Sequence, residues 1–171
     1  NKIIKFNSYD NVEIKIIKGL LQSFLPQTIA SEIIDTLFRK IVKMPEKFFF
    51  DKFYLNIREI INLDKEKHEI GLHGFNHNRY QYLTRENQNI DIKKSKKFWE
   101  KILKNKSKWS ICYPFGSYNS MTLKCLSKNK IDFALTTKKG SNTNLNKNLL
   151  KLKRWDTNDF LKIIVSYMVD F

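Results

Sequence analysis

Apolar residues recur at helical spacing in the first quarter of the chain. In residues 12 to 24, and again in residues 29 to 42, an apolar side chain returns every three or four positions. This spacing places the apolar side chains on one face of a helix, so the sequence predicts two amphipathic helices. Pro26 separates them and Pro45 follows the second, and proline disfavours a helix interior because it lacks a backbone N–H.

An aromatic connector and a third helix follow. Residues 46 to 55 are rich in phenylalanine, and we expect this connector to pack inward. Residues 56 to 67 are predicted to be helical, with Asn56 at the N-cap and Glu59 at the capping-box position three residues later. Residues 1–67 are therefore interpreted as a mainly helical segment.

From residue 68 onward, short apolar runs alternate with amphipathic stretches. Strands are predicted at 68–72, 109–113, 132–137 and 149–154. Helices are predicted at 87–104, at 120–128 and from 158 onward. The buried face of the first of these helices is expected to carry Ile90, Phe98, Trp99, Ile102 and Leu103. Alternating strands and helices pair in parallel through right-handed crossovers, which predicts the α/β class. We expect one domain over residues 1–171, with residues 68–171 as its βα core.

Composition restricts the class of protein further. Hydrophobic residues make up 42% of the chain, so it is globular, and its apolar runs are too short to cross a bilayer. The first residues lack the pattern of a secretory signal peptide. Cys112 and Cys125 are expected to be reduced thiols. These features predict a cytoplasmic protein, or one that associates peripherally with a membrane.

The formal net charge of +15 suggests three kinds of anionic partner: nucleic acid, a membrane surface or an acidic glycan. The lysines are scattered, however, and cluster only at residues 93–97 and 101–108. Nucleic-acid surfaces interleave basic residues with exposed aromatic ones, which is not the pattern here. Specific nucleic-acid binding is therefore not predicted, and a basic nucleic-acid-binding domain is kept only as a less favoured alternative.

Candidate chemistry lies at the ends of the predicted strands. His73 and His77 follow the first strand, and two imidazoles four residues apart in such a turn can lie side by side, as a divalent metal requires. Two later motifs are Tyr113-Pro-Phe-Gly-Ser-Tyr118 and Arg154-Trp-Asp-Thr-Asn-Asp159. In parallel α/β folds, active residues gather at the carboxyl ends of strands. We therefore expect the three motifs to share one cavity.

Together these motifs resemble the polysaccharide deacetylase family, the NodB-type carbohydrate esterases of family four. His73-Gly-Phe-Asn-His77 is similar to the family's metal-binding motif, and Tyr113-Pro-Phe-Gly-Ser-Tyr-Asn119 resembles its groove wall. Residues 135–140 and 154–159 resemble later segments of envelope- or capsule-associated members, and residues 20–26 begin a stretch similar to a helical insertion of that branch. The resemblance implies a partial or distorted (β/α) barrel with an N-terminal helical insertion.

The resemblance also implies roles for individual residues. A divalent metal, commonly zinc, would be bound by His73 and His77, and the backbone N–H of Phe115 would face the developing oxyanion. Arg154 and Asp156 are expected to form a catalytic pair in the groove. The residues expected to contact the sugar are Tyr113, Pro114, Gly116 and Trp155.

The chain departs from the family pattern at three places. The opening Thr-Phe-Asp-Asp-Gly segment, which supplies the general base and a third metal ligand, is absent, and Asp10 is expected to be a surface residue. Cys112 stands where the family has an arginine, and no histidine follows His77. We therefore expect the C-terminal part of a deacetylase, which binds zinc weakly and loses that binding in His77→Ala.

The leading hypothesis is a metal-dependent hydrolase that removes N-acetyl groups from an envelope or capsule polysaccharide or its precursor. The alternative is a catalytically silent relative that binds a glycan or acts as a scaffold. In both cases the partner is an N-acetylated glycan. An unclosed barrel exposes strand edges and apolar faces, so a homo-oligomer is also expected.

Overall fold

The structure is a computed structural model that describes residues 10–144 and 148–160. Its internal contacts divide the chain into two compact units, Asn1–Asn56 and Ile57–Phe171. Within the described residues, no helix combines the length and the apolar character that crossing a bilayer requires. The part of the last predicted helix beyond residue 160 lies outside the described residues.

The first unit is helical. Its α-helices are α1 (Val12–Gly19), α2 (Gln27–Leu37) and α3 (Glu46–Phe53), and π-helical turns at Leu20–Phe24 and Phe38–Val42 continue the first two. Asn11 begins α1, because its side-chain oxygen accepts a hydrogen bond from the Ile14 N–H at 2.9 Å. The two amphipathic helices predicted from apolar spacing are confirmed.

The aromatic connector forms α3 and does not pack inward as expected. Phe49 and Phe53 stack with ring centroids 6.3 Å apart, and Phe50 and Tyr54 stack at 5.7 Å. Such contacts between residues four apart stabilise a helix along its own surface. Phe53 is nevertheless 73% exposed and Tyr54 67% exposed, so the expectation of inward packing is wrong.

The second unit alternates helices with short strands. In chain order its elements are α4 (Ile57–Lys65), α5 (Arg85–Ile102), β1 (Ser110–Cys112), α6 (Ser120–Lys128) and β2 (Phe133–Leu135). Residues 157–160 begin a further helix. Helix α6 has the bounds predicted from the sequence, because Asn119 and Thr122 form a reciprocal capping box at its start.

The sheet is small and parallel. β1 pairs with β2, and single parallel bridges extend the pair on both sides, from Leu72 to Ile111 and from Leu135 to Leu152. The first and last predicted strands are therefore reduced to one bridge each. The spatial order Leu72, β1, β2, Leu152 has all four carboxyl ends at the same edge of the sheet. This parallel arrangement agrees with the predicted α/β class.

The core of the second unit surrounds β1. Its buried residues are Leu72, Tyr80, Ile92, Trp109, Ile111, Tyr113, Cys125, Leu126, Ile131 and Ala134. Helix α5 contributes Ile92, whereas Ile90 and Phe98 are 43% and 44% exposed. The rest of its buried face is polar and consists of Gln88, Asp91 and Ser95. The predicted face of α5 is therefore wrong for Ile90 and Phe98, because hydrophobicity alone does not identify a helix face that hydrogen-bonds to a neighbouring loop.

Candidate metal-binding and catalytic site

Backbone pairing in the sheet places His73. The Leu72 N–H donates to the Ser110 carbonyl at 2.8 Å, and the Cys112 N–H donates to the Leu72 carbonyl at 2.9 Å. Beyond Leu72, a side chain continues this pairing. His73 Nδ1 donates a hydrogen bond to the Cys112 carbonyl at 2.8 Å. That bond assigns the proton of the neutral ring to Nδ1, so the lone pair of Nε2 is available to a metal.

The two imidazoles face each other through these outer nitrogens. The Nε2 atoms of His73 and His77 lie 3.1 Å apart, and the ring centroids are 4.8 Å apart. Two nitrogens bound at about 2.0–2.1 Å to one tetrahedral zinc ion would be separated by about 3.4 Å. The pair therefore already has nearly the spacing of two ligands on one metal. Without a metal, His77 Nε2–H can donate to His73 Nε2.

His77 occupies an unusual backbone conformation beside an aromatic ring and a cation. Its φ angle of 53° lies in the left-handed region, which non-glycine residues seldom adopt. Its ring packs on Phe115 with centroids 4.6 Å apart, and the Arg79 guanidinium lies over the Phe115 ring at 4.1 Å. Burial, His73 and Arg79 all lower the pKa of His77. The ring is therefore neutral at pH 7, which is the state that binds metals.

The turn after β1 forms another side of the site. Phe115 and Gly116 both have left-handed φ angles, of 56° and 65°. The Gly116 N–H donates to the Tyr113 carbonyl at 2.8 Å, and the Ser117 N–H donates to the Pro114 carbonyl at 2.9 Å. The role of the Phe115 N–H as oxyanion donor, which the family resemblance implies, stays a prediction.

Tyr113 and Pro114 support the turn from beneath. Both are buried. The Tyr113 hydroxyl donates to the Leu150 carbonyl at 2.7 Å, and its ring stacks on Tyr118 with centroids 4.6 Å apart. These contacts join the end of β1 to the segment that precedes Leu152. The predicted contact of Tyr113 and Pro114 with sugar stays a prediction.

Arg154 and Trp155, like His73, lie at the carboxyl ends of the strands, but they follow a different strand position. They follow the bridge at Leu152, which is three strand spacings, or about 14 Å, from Leu72. Both side chains are exposed, with Trp155 at 44%. The structure thus brings His73 and His77 together with Phe115. It places the later motif on the same edge without a described contact to them.

Asp156 and Asp159 begin the helix at residues 157–160. Asp156 Oδ1 accepts from the Asn158 N–H at 2.9 Å, and Asp159 Oδ2 accepts from the Asp156 N–H at 3.1 Å. Asp156 thus acts as the N-cap of this helix, and Asp159, three residues later, accepts from the N–H of the N-cap residue. Asp159 is therefore a capping residue, and it also pairs with Lys139. The catalytic role of Asp156 stays a prediction.

Three residues that the sequence did not single out adjoin the histidine loop: Arg79, Tyr80 and Asp91. Nothing local in the sequence marks Arg79 or Tyr80. Asp91 belongs to the polar stripe on α5, whose members are three and four residues apart, as on one helix face. That spacing was the available sign that α5 buries polar groups.

Among the described residues, His73 and His77 can fill two ligand positions of a metal site. In residues 10–144 and 148–160, no group of three His, Cys, Asp or Glu side chains is arranged to bind one ion. Catalytic zinc commonly has three protein ligands, and the imidazole pair supplies two nitrogens. Asp10 pairs with Lys18 at 2.8 Å. Cys112 and Cys125 are free thiols, as predicted.

Comparison with known proteins identifies the family. The model of the polysaccharide deacetylase family matches residues 25–134, and the chain belongs to this family. The family predicted from the sequence motifs is therefore confirmed. Its members are hydrolases that act on carbon–nitrogen bonds other than peptide bonds. None of the curated protein sequences matches the chain significantly.

Solved structures share the fold over about three-fifths of the chain. The deacetylase PplD from Streptococcus pyogenes, in complex with acetate, is 24% identical, with a TM-score of 0.54 over 59% of this chain and 44% of that one. The BpsB deacetylase domain from Bordetella bronchiseptica is 18% identical, with a TM-score of 0.52 over 60% and 48%. The polysaccharide deacetylase BC0361 from Bacillus cereus is 28% identical, with a TM-score of 0.50 over 59% and 32%. The chain therefore spans less than half the length of each.

Proposed function

We propose that this chain is part of a metal-dependent deacetylase that removes N-acetyl groups from an envelope or capsule polysaccharide or its precursor. The observation that carries the proposal is the 3.1 Å separation of the outer nitrogens of His73 and His77. Family membership supports the same activity, because relatives of this fold include polysaccharide deacetylases.

Each residue near the imidazole pair has a separate task in this proposal. His73 and His77 would bind a divalent metal, expected to be zinc, which supplies Lewis-acid chemistry to a water molecule and to a carbonyl group. The Cys112 carbonyl holds His73 in the tautomer that leaves Nε2 available. The Phe115 N–H would donate to the acetamide oxygen as negative charge develops on it. Arg79, which lies over the Phe115 ring, would add positive charge near the same oxygen.

The edge of the sheet beyond this centre would bind the polysaccharide. Trp155 presents a partly exposed aromatic face, and such faces suit the apolar sides of sugar rings. Arg154 and Asp156 lie next to it on the same edge and would contact sugar hydroxyls. Gly116 allows the turn to approach its neighbours closely, because a Cβ there would lie 2.2 Å from Thr137 Oγ1.

The chain alone is expected to be a weak enzyme. Two histidines fill two of three ligand positions, and by resemblance the missing Asp-Asp-Gly segment supplies both the third ligand and the general base. A cytoplasmic or membrane-peripheral location and a homo-oligomeric state stay predictions.

Acetate release from a chitooligosaccharide, measured with added zinc and after chelation, tests the proposed function. We expect slow release that zinc increases and that His73→Ala or His77→Ala removes. His68→Ala is the matched control, because His68 is an exposed histidine of the same unit and its side chain is 62% exposed. This variant should release acetate at the wild-type rate.

Two other results would change the conclusion. Release that is equally fast in His77→Ala and His68→Ala would contradict a role for the imidazole pair. Saturable binding of the oligosaccharide without acetate release would favour the alternative, a silent glycan-binding relative. Binding is measured on the same samples by the change in tryptophan fluorescence.

A further inference from the structure

The buried carboxylate of Asp91 lies beneath the loop that joins the two histidines. Asp91 belongs to α5 and is 3% exposed. Burying a carboxylate is costly unless hydrogen bonds replace its water shell. Its surroundings must therefore supply donors.

The loop itself supplies two of these donors. The Phe75 N–H donates to Asp91 Oδ2 at 3.0 Å, and the Asn76 N–H donates to Asp91 Oδ1 at 3.0 Å. Two successive amides thus point at the two oxygens of one carboxylate, an arrangement that binds an anion in many proteins. Phe75 and Asn76 are the residues immediately before His77, so fixing their peptide planes also fixes the backbone that carries its imidazole.

Tyr80 supplies the third donor from the other end of the loop. Its hydroxyl donates to Asp91 Oδ2 at 3.0 Å, and its ring is fully buried. Burial and the neighbouring carboxylate both raise the pKa of Tyr80, so the phenol stays protonated and keeps its donor role. Asp91 therefore binds the chain on both sides of His77.

Gly74 allows the carboxylate to come this close. It has a φ angle of +76°, and a Cβ there would lie 3.2 Å from both Asp91 Oδ2 and the Tyr80 hydroxyl oxygen. A side chain at this position would push the loop away from α5. The His-Gly-Phe-Asn-His sequence thus has its glycine where the buried carboxylate requires it.

We propose that Asp91 is a positioning residue for the imidazole pair: it binds the Phe75 and Asn76 amides and so holds His77 in the left-handed conformation that turns its Nε2 towards His73. Its relevance to metal binding rests on the proposed function. Its effect on the loop does not, because the hydrogen bonds form without a metal. Asp91 acts through the loop backbone and contacts neither imidazole in the described hydrogen bonds.

Amide hydrogen exchange of the metal-free protein, followed by NMR, tests the proposal. In Asp91→Asn, which keeps the size of the side chain, the Phe75 and Asn76 amides should exchange roughly tenfold faster or more, because bonds to a charged acceptor are lost. The matched control is Asp132→Asn. Asp132 Oδ2 also accepts a backbone N–H, that of Trp109 at 2.7 Å, in a different part of the unit. The control should leave exchange at Phe75 and Asn76 unchanged.

Zinc affinity provides a second readout, which separates positioning from general stability. Loss of an outer-sphere partner costs metal sites roughly 10–100-fold in affinity, so Asp91→Asn should weaken zinc binding by that factor and Asp132→Asn should not. A wild-type chain that binds no zinc would overturn the proposed metal site, while the exchange measurement would still decide the role of Asp91. Equal exchange at Phe75 and Asn76 in both variants would overturn the positioning role.

Tyr80→Phe keeps the test decisive if Asp91→Asn fails to fold. This variant removes one hydrogen bond to Asp91 and retains the buried ring. Exchange at Phe75 and Asn76 should then rise by a factor of roughly 3 to 10, while exchange at Trp109 stays at its wild-type rate. Unchanged exchange at the two loop amides in a folded Tyr80→Phe protein would contradict the proposal.

Discussion

The helices of both units have regularly spaced apolar residues, but the two units bury these side chains to different extents. In the second unit, Ile111, Leu126 and Ala134 are fully buried around the parallel strands. In the first unit, the helices leave most of their apolar side chains exposed, with Ile16 at 53% and Ile33 at 37%. Periodic apolar residues therefore predict that a helix forms and which face is apolar, but the extent of burial depends on packing partners that are distant in sequence.

The largest expected effect compares one isoleucine from each unit. Ile111→Ala removes a fully buried side chain beside the strands and should cost about 2–5 kcal/mol of unfolding free energy. Ile33→Ala, at a 37% exposed position of α2, should cost about 1 kcal/mol or less. Urea unfolding followed by far-ultraviolet circular dichroism, which reports helices in both units, measures the two losses. Equal losses would show that the first unit is as tightly packed as the second.

Helix caps give a smaller and more local comparison. Thr84 begins α5 by accepting from the Asn87 N–H at 3.2 Å, and Asn11 begins α1 in the same way. Thr84→Ala should lower the stability of the second unit by about 1 kcal/mol, because α5 packs in its core. Asn11→Ala should mainly fray α1, with faster amide exchange confined to that helix. Spread of the Asn11→Ala effect into β1 and α6 would contradict this separation.

The smallest effect is a pH dependence that belongs to the second unit, because all three histidines lie there. The pKa of His77 is lowered by burial, by His73 and by Arg79, so the unfolded chain takes up the proton before the folded one. The contribution to stability is therefore complete above the unfolded pKa of about 6.5, and it is lost as the pH falls through that value towards the lowered folded pKa. Urea midpoints of the metal-free protein between about pH 7.5 and pH 5 should decrease, and His77→Ala should flatten this decrease.

Local signals in the sequence predicted much of the second unit. Helix α6 has its predicted bounds, and the capping box of Asn119 and Thr122 stabilises its start. The parallel order of the strands followed from their alternation with helices. The outer strands were overestimated, because an apolar run does not show how many of its residues find a pairing partner.

In the candidate site, too, the sequence predicted some features and not others. The spacing of His73 and His77 sufficed to predict that their imidazoles are neighbours. The contacts around them were not predictable, because Asp91 lies 15 and 16 residues from the amides that it binds. The Arg79 guanidinium reaches a ring in a turn that follows another strand. Such contacts depend on the packing of α5 and of the β1 turn, which no local pattern encodes.

His73 and His77 are proposed to bind one metal ion together. Calorimetric titration of the 171-residue chain with zinc tests it most directly, with His77→Ala and His68→Ala as a matched pair. We expect weak binding that His77→Ala abolishes and His68→Ala preserves, since two nitrogens fill two of three ligand positions. Zinc binding of unchanged affinity in His77→Ala would contradict the claim.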